Sequence, residues 1–173
     1  MTYAHTRSAY SDLAGGDTSV HALISDEAFL EGILEFERAL SVAAAKVGAI
    51  GEADCQAAVA CIDGYRLDMA AIAGASAAGA NPAIPIAKQL KAQAGDRAAG
   101  IHVGATSQDA IDTSLSLCLK RGGERLLELT GQAADLLRAL AREHRDTPMM
   151  GRTLRQLATP TTFGAVAAGW LAG

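Results

Sequence analysis

The polar stretch IHVGATSQDAID, at residues 101–112, combines residue types that can bind a carboxylate and move a proton beside it. The hydroxyls and the amide of Thr106, Ser107 and Gln108 lie at the start of a helical pattern, where free backbone N–H groups and the helix dipole favour an anion. His102 lies just upstream, and an imidazole can exchange a proton near neutral pH. One interpretation of the stretch is therefore a carboxylate-binding site.

Helix capping explains most of the same residues without a ligand. Thr106 or Ser107 lies where an N-cap is expected, and Asp109 follows Thr106 by three residues, close to the spacing of a capping box. Capping leaves His102 and Gln108 without a role. The stretch alone is therefore compatible with both interpretations.

A second group of hydrogen-bond donors lies in GRTLRQLATP, at residues 151–160. Arg152, Gln156 and Thr159 are close together there, and no carboxylate competes for them. The alternative interpretation is a turn between two helices, with the second helix opening at Pro160.

The remaining polar residues have simple structural interpretations. Asn81, within ANPAIPIAK, is more typical of a turn than of a ligand site. Glu35, Glu37 and Arg38 are most simply a solvated helix face or an interface pair. His5 and His21 are expected at the surface.

Composition excludes several classes of function. The net charge is −4 and no basic stripe is present, so we expect no nucleic-acid partner. The sequence contains no uninterrupted apolar stretch of about 18 residues, the length that would predict a membrane span. The three cysteines, Cys55, Cys61 and Cys118, include no CxxC pair, which argues against a disulfide framework and a metal site and favours the cytoplasm. We also find no nucleotide-binding glycine motif and expect no cofactor.

The apolar spacing predicts an all-α fold without a convincing strand. Helical patterns begin near Ser25, with a stop at Gly48, and continue over Glu52–Cys61, over Arg66–Ala77 and after Pro85 as far as Gly95. The longest pattern runs from Ser107 to about His144, a rod of about 55 Å. Its heptad-like stripe is predicted from these residues: Ile111, Leu115, Cys118, Gly122, Leu126, Leu129, Ala133, Leu136 and Leu140.

A rod of this length needs partner helices that the remaining residues cannot supply. We therefore expect an N-terminal helical domain over residues 1–105, opening with an extended arm over 1–18, and the beginning of a helical bundle over 106–173. The chain stops inside an apolar helical pattern, so we also expect it to be an N-terminal portion of a longer protein.

In combination, three segments resemble the fumarase/aspartase superfamily. They are NPAIP, then HVGATSQD at the head of a very long helix, and then GRTLRQLATPTTFG. Within the superfamily, they are most similar to the branch that lactonizes 3-carboxy-cis,cis-muconate, and the similarity covers essentially the whole chain.

This resemblance implies an all-α homotetramer with a central bundle of long helices and active sites shared between subunits. It implies conversion of a tricarboxylate, 3-carboxy-cis,cis-muconate, to 4-carboxymuconolactone by intramolecular carboxylate addition, in aromatic catabolism and without a cofactor. It also implies catalytic roles for His102 and Ser107. The residues it implies for substrate binding are Thr106, Ser107, Gln108, Gln156, Thr159, Asn81 and Arg152.

Two departures from the superfamily pattern bear on the activity. Leu154 occupies a position where many of these lyases have histidine, which disfavours the histidine-dependent reactions and suits the muconate branch. The superfamily's GSSxMPxKxN-like loop, with its serine base, is not within these residues, so we expect the chain to have little turnover alone. The alternatives are a related superfamily enzyme, such as a sulfomuconate cycloisomerase or another carboxylate lyase, and a non-catalytic helical assembly module.

Overall fold

The computed structural model describes residues 18–173, and those residues are mostly helical. The predicted arm lies outside the described residues except for Thr18, and so does His5. The elements in chain order are α1 Thr18–Leu23, α2 Asp26–Lys46, α3 Glu52–Asp63, α4 Met69–Gly79, α5 Ala83–Ala94, a 3₁₀ helix Gly95–Gly100, α6 Ser107–Glu143, β1 Pro148–Thr153, β2 Gln156–Thr162 and α7 Phe163–Ala172. The predicted all-α class is confirmed, with one small sheet as an exception.

The helix boundaries follow local capping chemistry. Ser25 caps α2, because its hydroxyl accepts a hydrogen bond from the Ala28 N–H at 3.2 Å. Gly48, with φ +74°, follows the end of that helix as predicted. The start of α4 lies three residues after the predicted Arg66, because the Asp68 carboxylate accepts from the Ala71 N–H at 3.0 Å.

The described chain divides into two compact units, one ending at Gly122 and one beginning at Gly123. The predicted boundary between residues 105 and 106 stays a prediction. The first unit has a single apolar core, in which α2 packs on α3 and α3 packs on α5. That core is formed by these buried residues: Leu30, Ile33, Ala58, Cys61, Ile62, Ile72, Ala83, Ile86, Leu90, Ile101 and Ala110.

The predicted long helix is confirmed as α6, and its buried face shares Cys118 and Gly122 with the predicted stripe. The buried residues are Ala110, Ser114, Cys118 and Gly122, spaced four apart. Of the predicted stripe, Leu115, Leu126 and Leu136 are exposed. A Cβ on Gly122 would lie 2.7 Å from Cγ2 of Ile24, so the glycine makes room for a neighbouring side chain.

The second unit corrects two expectations, because residues 148–162 form an antiparallel β-hairpin. Pro160 lies in β2 opposite Met150, so it does not open a helix. A hairpin has only edge strands, and an edge strand tolerates proline. The last helix begins instead at Phe163, where the Thr162 hydroxyl accepts from the Ala165 N–H at 3.2 Å. The absence of strands and the helix start at Pro160 were therefore wrong.

The hairpin also has a register shift between Met150 and Arg152. Gly151 lies at this bulge, and a Cβ there would be 2.7 Å from the Thr159 carbonyl oxygen. Leu154 lies in the turn with φ +52° and is 99% exposed. Among the helices of residues 18–173, none combines the length and the hydropathy needed to span a bilayer.

Candidate functional site

The central feature of the site is a pair formed by His102 and Glu37. Nδ1 of the His102 ring is 2.5 Å from Oε1 of Glu37, and the His102 backbone N–H donates to Oε2 at 2.9 Å. The Glu37 side chain is fully buried and that of His102 is 17% exposed. A carboxylate opposite Nδ1 keeps a proton on that nitrogen, so in the neutral ring Nε2 is the acceptor. The imidazole is therefore fixed in both orientation and tautomer.

Glu37 is the residue of the candidate site that the sequence interpretation missed. Its placement on a solvated face was wrong, whereas Glu35 and Arg38 are exposed as expected. A signal was present, since Glu37 lies seven residues after Leu30 and seven before Ala44, on the buried stripe of α2. A charged residue on an apolar stripe needs a buried partner, and His102 supplies it.

The segment before His102 is held by the helices around it. The Ser41 hydroxyl of α2 donates to the Gly100 carbonyl at 2.6 Å. Gly100 also packs against α3, where a Cβ on it would lie 2.6 Å from the Asp54 carbonyl oxygen. Ile101 is 2% exposed and belongs to the core. His102 follows with φ +55°, a left-handed conformation that turns the chain towards α6.

The residues at the start of α6 include both a helix cap and part of the candidate site. The Thr106 N–H donates to Oδ2 of Asp109 at 2.8 Å, which confirms the Asp109 half of the capping box. Nδ2 of Asn81 lies 3.4 Å from the Ser107 hydroxyl, and Oδ1 of Asn81 accepts from the Ile84 N–H at 3.2 Å. Asn81 therefore serves as a turn residue and also contacts a predicted catalytic residue.

Two cavities border this segment, and their charges differ. A cavity of about 300 Å³ is lined by Ile84, Ala87, Lys88, Lys91, His102 and Ser107. A cavity of about 420 Å³ is lined by Phe36, Leu40, Gly104, Ala105, Asp109, Asp112 and Thr113. The carboxylates of the larger cavity repel an anion. We therefore take the smaller one, which contains His102 and Ser107, as the candidate carboxylate site.

The other predicted site residues are placed as follows. The Gln108 amide donates to Oδ1 of Asp112 at 2.6 Å, on the exposed side of α6. Arg152, Gln156 and Thr159 lie on the hairpin of the second unit, and all three are exposed. Their roles, and that of Gln108, stay predictions.

Metal ligation is not indicated within residues 18–173, where no cluster of three or more His, Cys, Asp or Glu side chains is present. The three cysteines are buried free thiols. Burial raises the pKa of the Cys61 thiol, which disfavours its thiolate and so its use as a metal ligand or a nucleophile.

A sequence profile of the Lyase family matches residues 2–172. The chain belongs to this family. Membership of the fumarase/aspartase superfamily, predicted from three short segments, is thereby confirmed.

Individual relatives in the family differ in the reaction that they are named for. Nitrosuccinate lyase of Streptomyces davaonensis is 44% identical over 158 residues, which are 89% of this chain and 33% of that protein. The 3-carboxy-cis,cis-muconate cycloisomerase of Pseudomonas putida is 39% identical over 157 residues, which are 88% of this chain and 37% of that protein. The chain thus spans about a third of the length of the curated relatives it matches.

Solved structures of the family agree with the fold. The crystal structure of the 3-carboxy-cis,cis-muconate lactonizing enzyme from Pseudomonas putida superposes with a TM-score of 0.81 at 38% identity, covering 90% of this chain and 36% of that one. A fumarate lyase structure from Mesorhizobium sp. BNC1 gives a TM-score of 0.79 at 36% identity, covering 90% of this chain and 37% of that one.

Proposed function

We propose that this chain forms part of the active site of an enzyme that makes or breaks a bond beside a carboxylate through proton transfer. The leading specific reaction is the conversion of 3-carboxy-cis,cis-muconate to 4-carboxymuconolactone. The observation that carries the proposal is the His102–Glu37 pair, which places an oriented imidazole in the same cavity as Ser107.

The proposed reaction is an isomerisation whose atoms balance within one substrate. A carboxylate oxygen bonds to one carbon of the conjugated diene, and the electron pair of that double bond moves to the adjacent carbon, which takes a proton. Ser107, with the N-terminal N–H groups of α6, holds a substrate carboxylate. In its imidazolium form His102 supplies a hydrogen bond or a proton through Nε2, while Nδ1 is engaged by the Glu37 carboxylate, which offsets the positive charge.

Exposed leucines along α6, at Leu126, Leu127 and Leu136, support association with helices outside this chain. We propose a homotetramer in which the hairpin residues Arg152, Gln156 and Thr159 complete a site shared between subunits. Three free thiols support a cytoplasmic location.

A second candidate function is elimination of nitrite from nitrosuccinate. The 44% identity with a nitrosuccinate lyase favours it. In that reaction the C–N bond breaks, nitrite leaves with the electron pair, and the neighbouring carbon loses a proton to form the double bond. The hydrogen-bond donors at the start of α6 can hold a carboxylate in this reaction too, and the oriented His102 ring can accept the proton at Nε2.

Turnover of both substrates by the full-length protein that carries these residues tests the proposal. Loss of diene absorbance with lactone as the product supports the cycloisomerase, whereas nitrite release from nitrosuccinate without lactone formation supports the second candidate. A folded protein that turns over neither substrate contradicts both specific assignments.

A Ser107→Ala variant separates an enzyme from a helical assembly module. An enzyme of this kind loses turnover and keeps its oligomeric state. Loss of the assembly together with the activity would support a structural role for this segment.

A further inference from the structure

The cavity beside His102 contains two cations that no role described so far requires. Lys88 and Lys91 lie three residues apart on α5, and both line this cavity together with Ile84 and Ala87 of the same helix. Positions separated by three, four and seven residues share one face of a helix. That face of α5 therefore places two lysine side chains along the space that His102 and Ser107 border, and their flexible stems allow the ammonium groups to reach a ligand there.

Neither lysine has a carboxylate partner within residues 18–173. The ion pairs of that part of the chain join other residues, and Lys88 and Lys91 form no hydrogen bond there. Two like charges at this spacing on a helix repel each other. Lys91, in the last turn of α5, suits the helix dipole, but Lys88, in the middle of the helix, does not gain from it.

We propose that Lys88 and Lys91 form an anion subsite that binds a second carboxylate of the substrate, while Ser107 and the start of α6 bind the first. This inference rests on the proposed function and makes it narrower, since it predicts a substrate with at least two separated carboxylates. The volume of about 300 Å³ suits a compact polycarboxylate rather than a large ligand.

The charges around the cavity support this assignment. Its lining holds two lysines, a histidine, a hydroxyl and apolar side chains, and it holds no acid. Asp109 and Asp112, the acids nearest in sequence to Ser107, line the other cavity. A polycarboxylate in the smaller cavity therefore meets donors and cations from α5 and from α6.

Binding of tricarballylate, a tricarboxylate that cannot react, tests the subsite in the full-length protein. Calorimetry compares the wild type with Lys88→Gln and Lys91→Gln, and with Lys46→Gln as a matched control in the last turn of α2. We expect Kd to rise roughly tenfold or more for each subsite variant, because each loses a charge-assisted hydrogen bond. We expect less than a twofold change for the control.

Two further measurements make the outcome specific. Butyrate, with one carboxylate, is expected to lose much less affinity than tricarballylate in the same variants. Lys88→Arg keeps the charge and is expected to bind tricarballylate within about threefold of the wild type. Circular dichroism verifies that each variant is folded.

Three results would overturn the subsite. They are unchanged tricarballylate binding in both subsite variants, an equal loss of butyrate affinity, and a wild type that binds butyrate but prefers it to tricarballylate. None of these three results would contradict binding of a carboxylate at Ser107. A wild type that binds neither compound contradicts the proposed function itself, and the subsite with it.

Discussion

At the scale of single residues, the candidate site depends on the buried carboxylate of Glu37, both of whose oxygens contact His102. Glu37 and His102 are 65 positions apart in the chain, yet the carboxylate contacts both the backbone N–H and the ring of His102. An unpaired buried charge costs several kcal/mol, so a fully buried glutamate requires this pairing. The orientation of the imidazole is thus determined by α2, a helix distant in sequence.

Replacing the carboxylate with an amide tests this dependence. In Glu37→Gln, the amide oxygen still accepts from the His102 N–H, but its NH₂ group then faces Nδ1. The amide carries no charge, so it no longer stabilises the imidazolium form, which is the form that gives up a proton through Nε2. We expect kcat to fall roughly 10–100-fold with little change in KM, measured by steady-state kinetics on the full-length protein.

The matched control is Glu35→Gln, on the exposed side of the same helix. It removes the same charge without touching His102, so its kcat is expected to stay within about twofold of the wild type. Equal losses of kcat in the two variants would show that the loss of a negative charge anywhere on α2, and not the contact between Glu37 and His102, lowers the activity.

The left-handed backbone at His102 allows a second test of the ring. At φ +55°, glycine fits the position without strain, whereas alanine is disfavoured there. His102→Gly therefore removes the imidazole with little damage to the loop. We expect turnover to fall by about 100-fold or more and to recover in part when free imidazole is added. No recovery at any imidazole concentration, in a protein with unchanged structure, would contradict a chemical role for this ring.

At the scale of elements, the segment between the 3₁₀ helix and α6 is held by close packing at Gly100. In Gly100→Ala, the new methyl group would lie 2.6 Å from the Asp54 carbonyl oxygen and 2.8 Å from Cβ of Ala58. We expect a loss of about 1–3 kcal/mol in the free energy of unfolding, because α3 and the segment must move apart. The measurement is urea unfolding followed by circular dichroism.

Gly74→Ala is the control for this change. Gly74 lies within α4, where a Cβ meets nothing within 4 Å. Alanine is expected to stabilise that helix by about 0.5–1 kcal/mol. Destabilisation in both variants would mean that close packing at Gly100 is not the cause.

The pair of α2 and α6 is joined by a bidentate contact between Arg121 and Glu35, at 2.8 and 2.7 Å. Hydrogen bonds from Arg121 hold the pKa of Glu35 below its usual value, although desolvation opposes them. A lowered pKa contributes stability that is present above the usual carboxyl range and is lost as the pH falls through the lowered value. Since the Glu35 and Arg121 side chains are 48% and 37% exposed, the contribution is about 0.2–1 kcal/mol.

Arg121→Gln is therefore expected to lower the unfolding free energy by about that amount at pH 7. The difference from the wild type is expected to shrink as the pH is lowered through the pKa of Glu35. Urea unfolding at neutral and acidic pH measures it. A difference that stays constant or grows in acid would contradict the assignment.

The sequence predicted the helices, but it did not predict every contact between distant segments. Caps such as Ser25 and Gly48 act through neighbouring backbone, so their effects were visible in the sequence. The hairpin was missed because Pro160 and Thr159 also suit a helix start, and pairing with β1 overrides that local preference. Within the candidate site, residue types alone pointed to His102 and Ser107, which line one cavity. Glu37 and the α5 lysines were not predicted, because their roles depend on contacts between distant segments.

At the scale of the whole molecule, the exposed apolar surface of α6 predicts association. Leu127 is 74% exposed, and Leu126 and Leu136 are more than half exposed. We expect Leu127→Glu to shift the full-length protein towards smaller species in analytical ultracentrifugation, because an interface there would bury an unpaired charge. Gln132→Glu, at an exposed polar position of the same helix, is the control. An unchanged assembly in Leu127→Glu would exclude this face from the interface.

The two cavities along residues 102–113 carry opposite charges, and this has a kinetic consequence. At ionic strengths near 0.1 M, charges act over about 10 Å, so an approaching anion responds to the nearest side chains and not to the net charge of −4. The lysines draw it towards one opening, while Asp109 and Asp112 turn it away from the other. Electrostatic steering of this kind raises the rate of encounter and gives the substrate a preferred direction of entry.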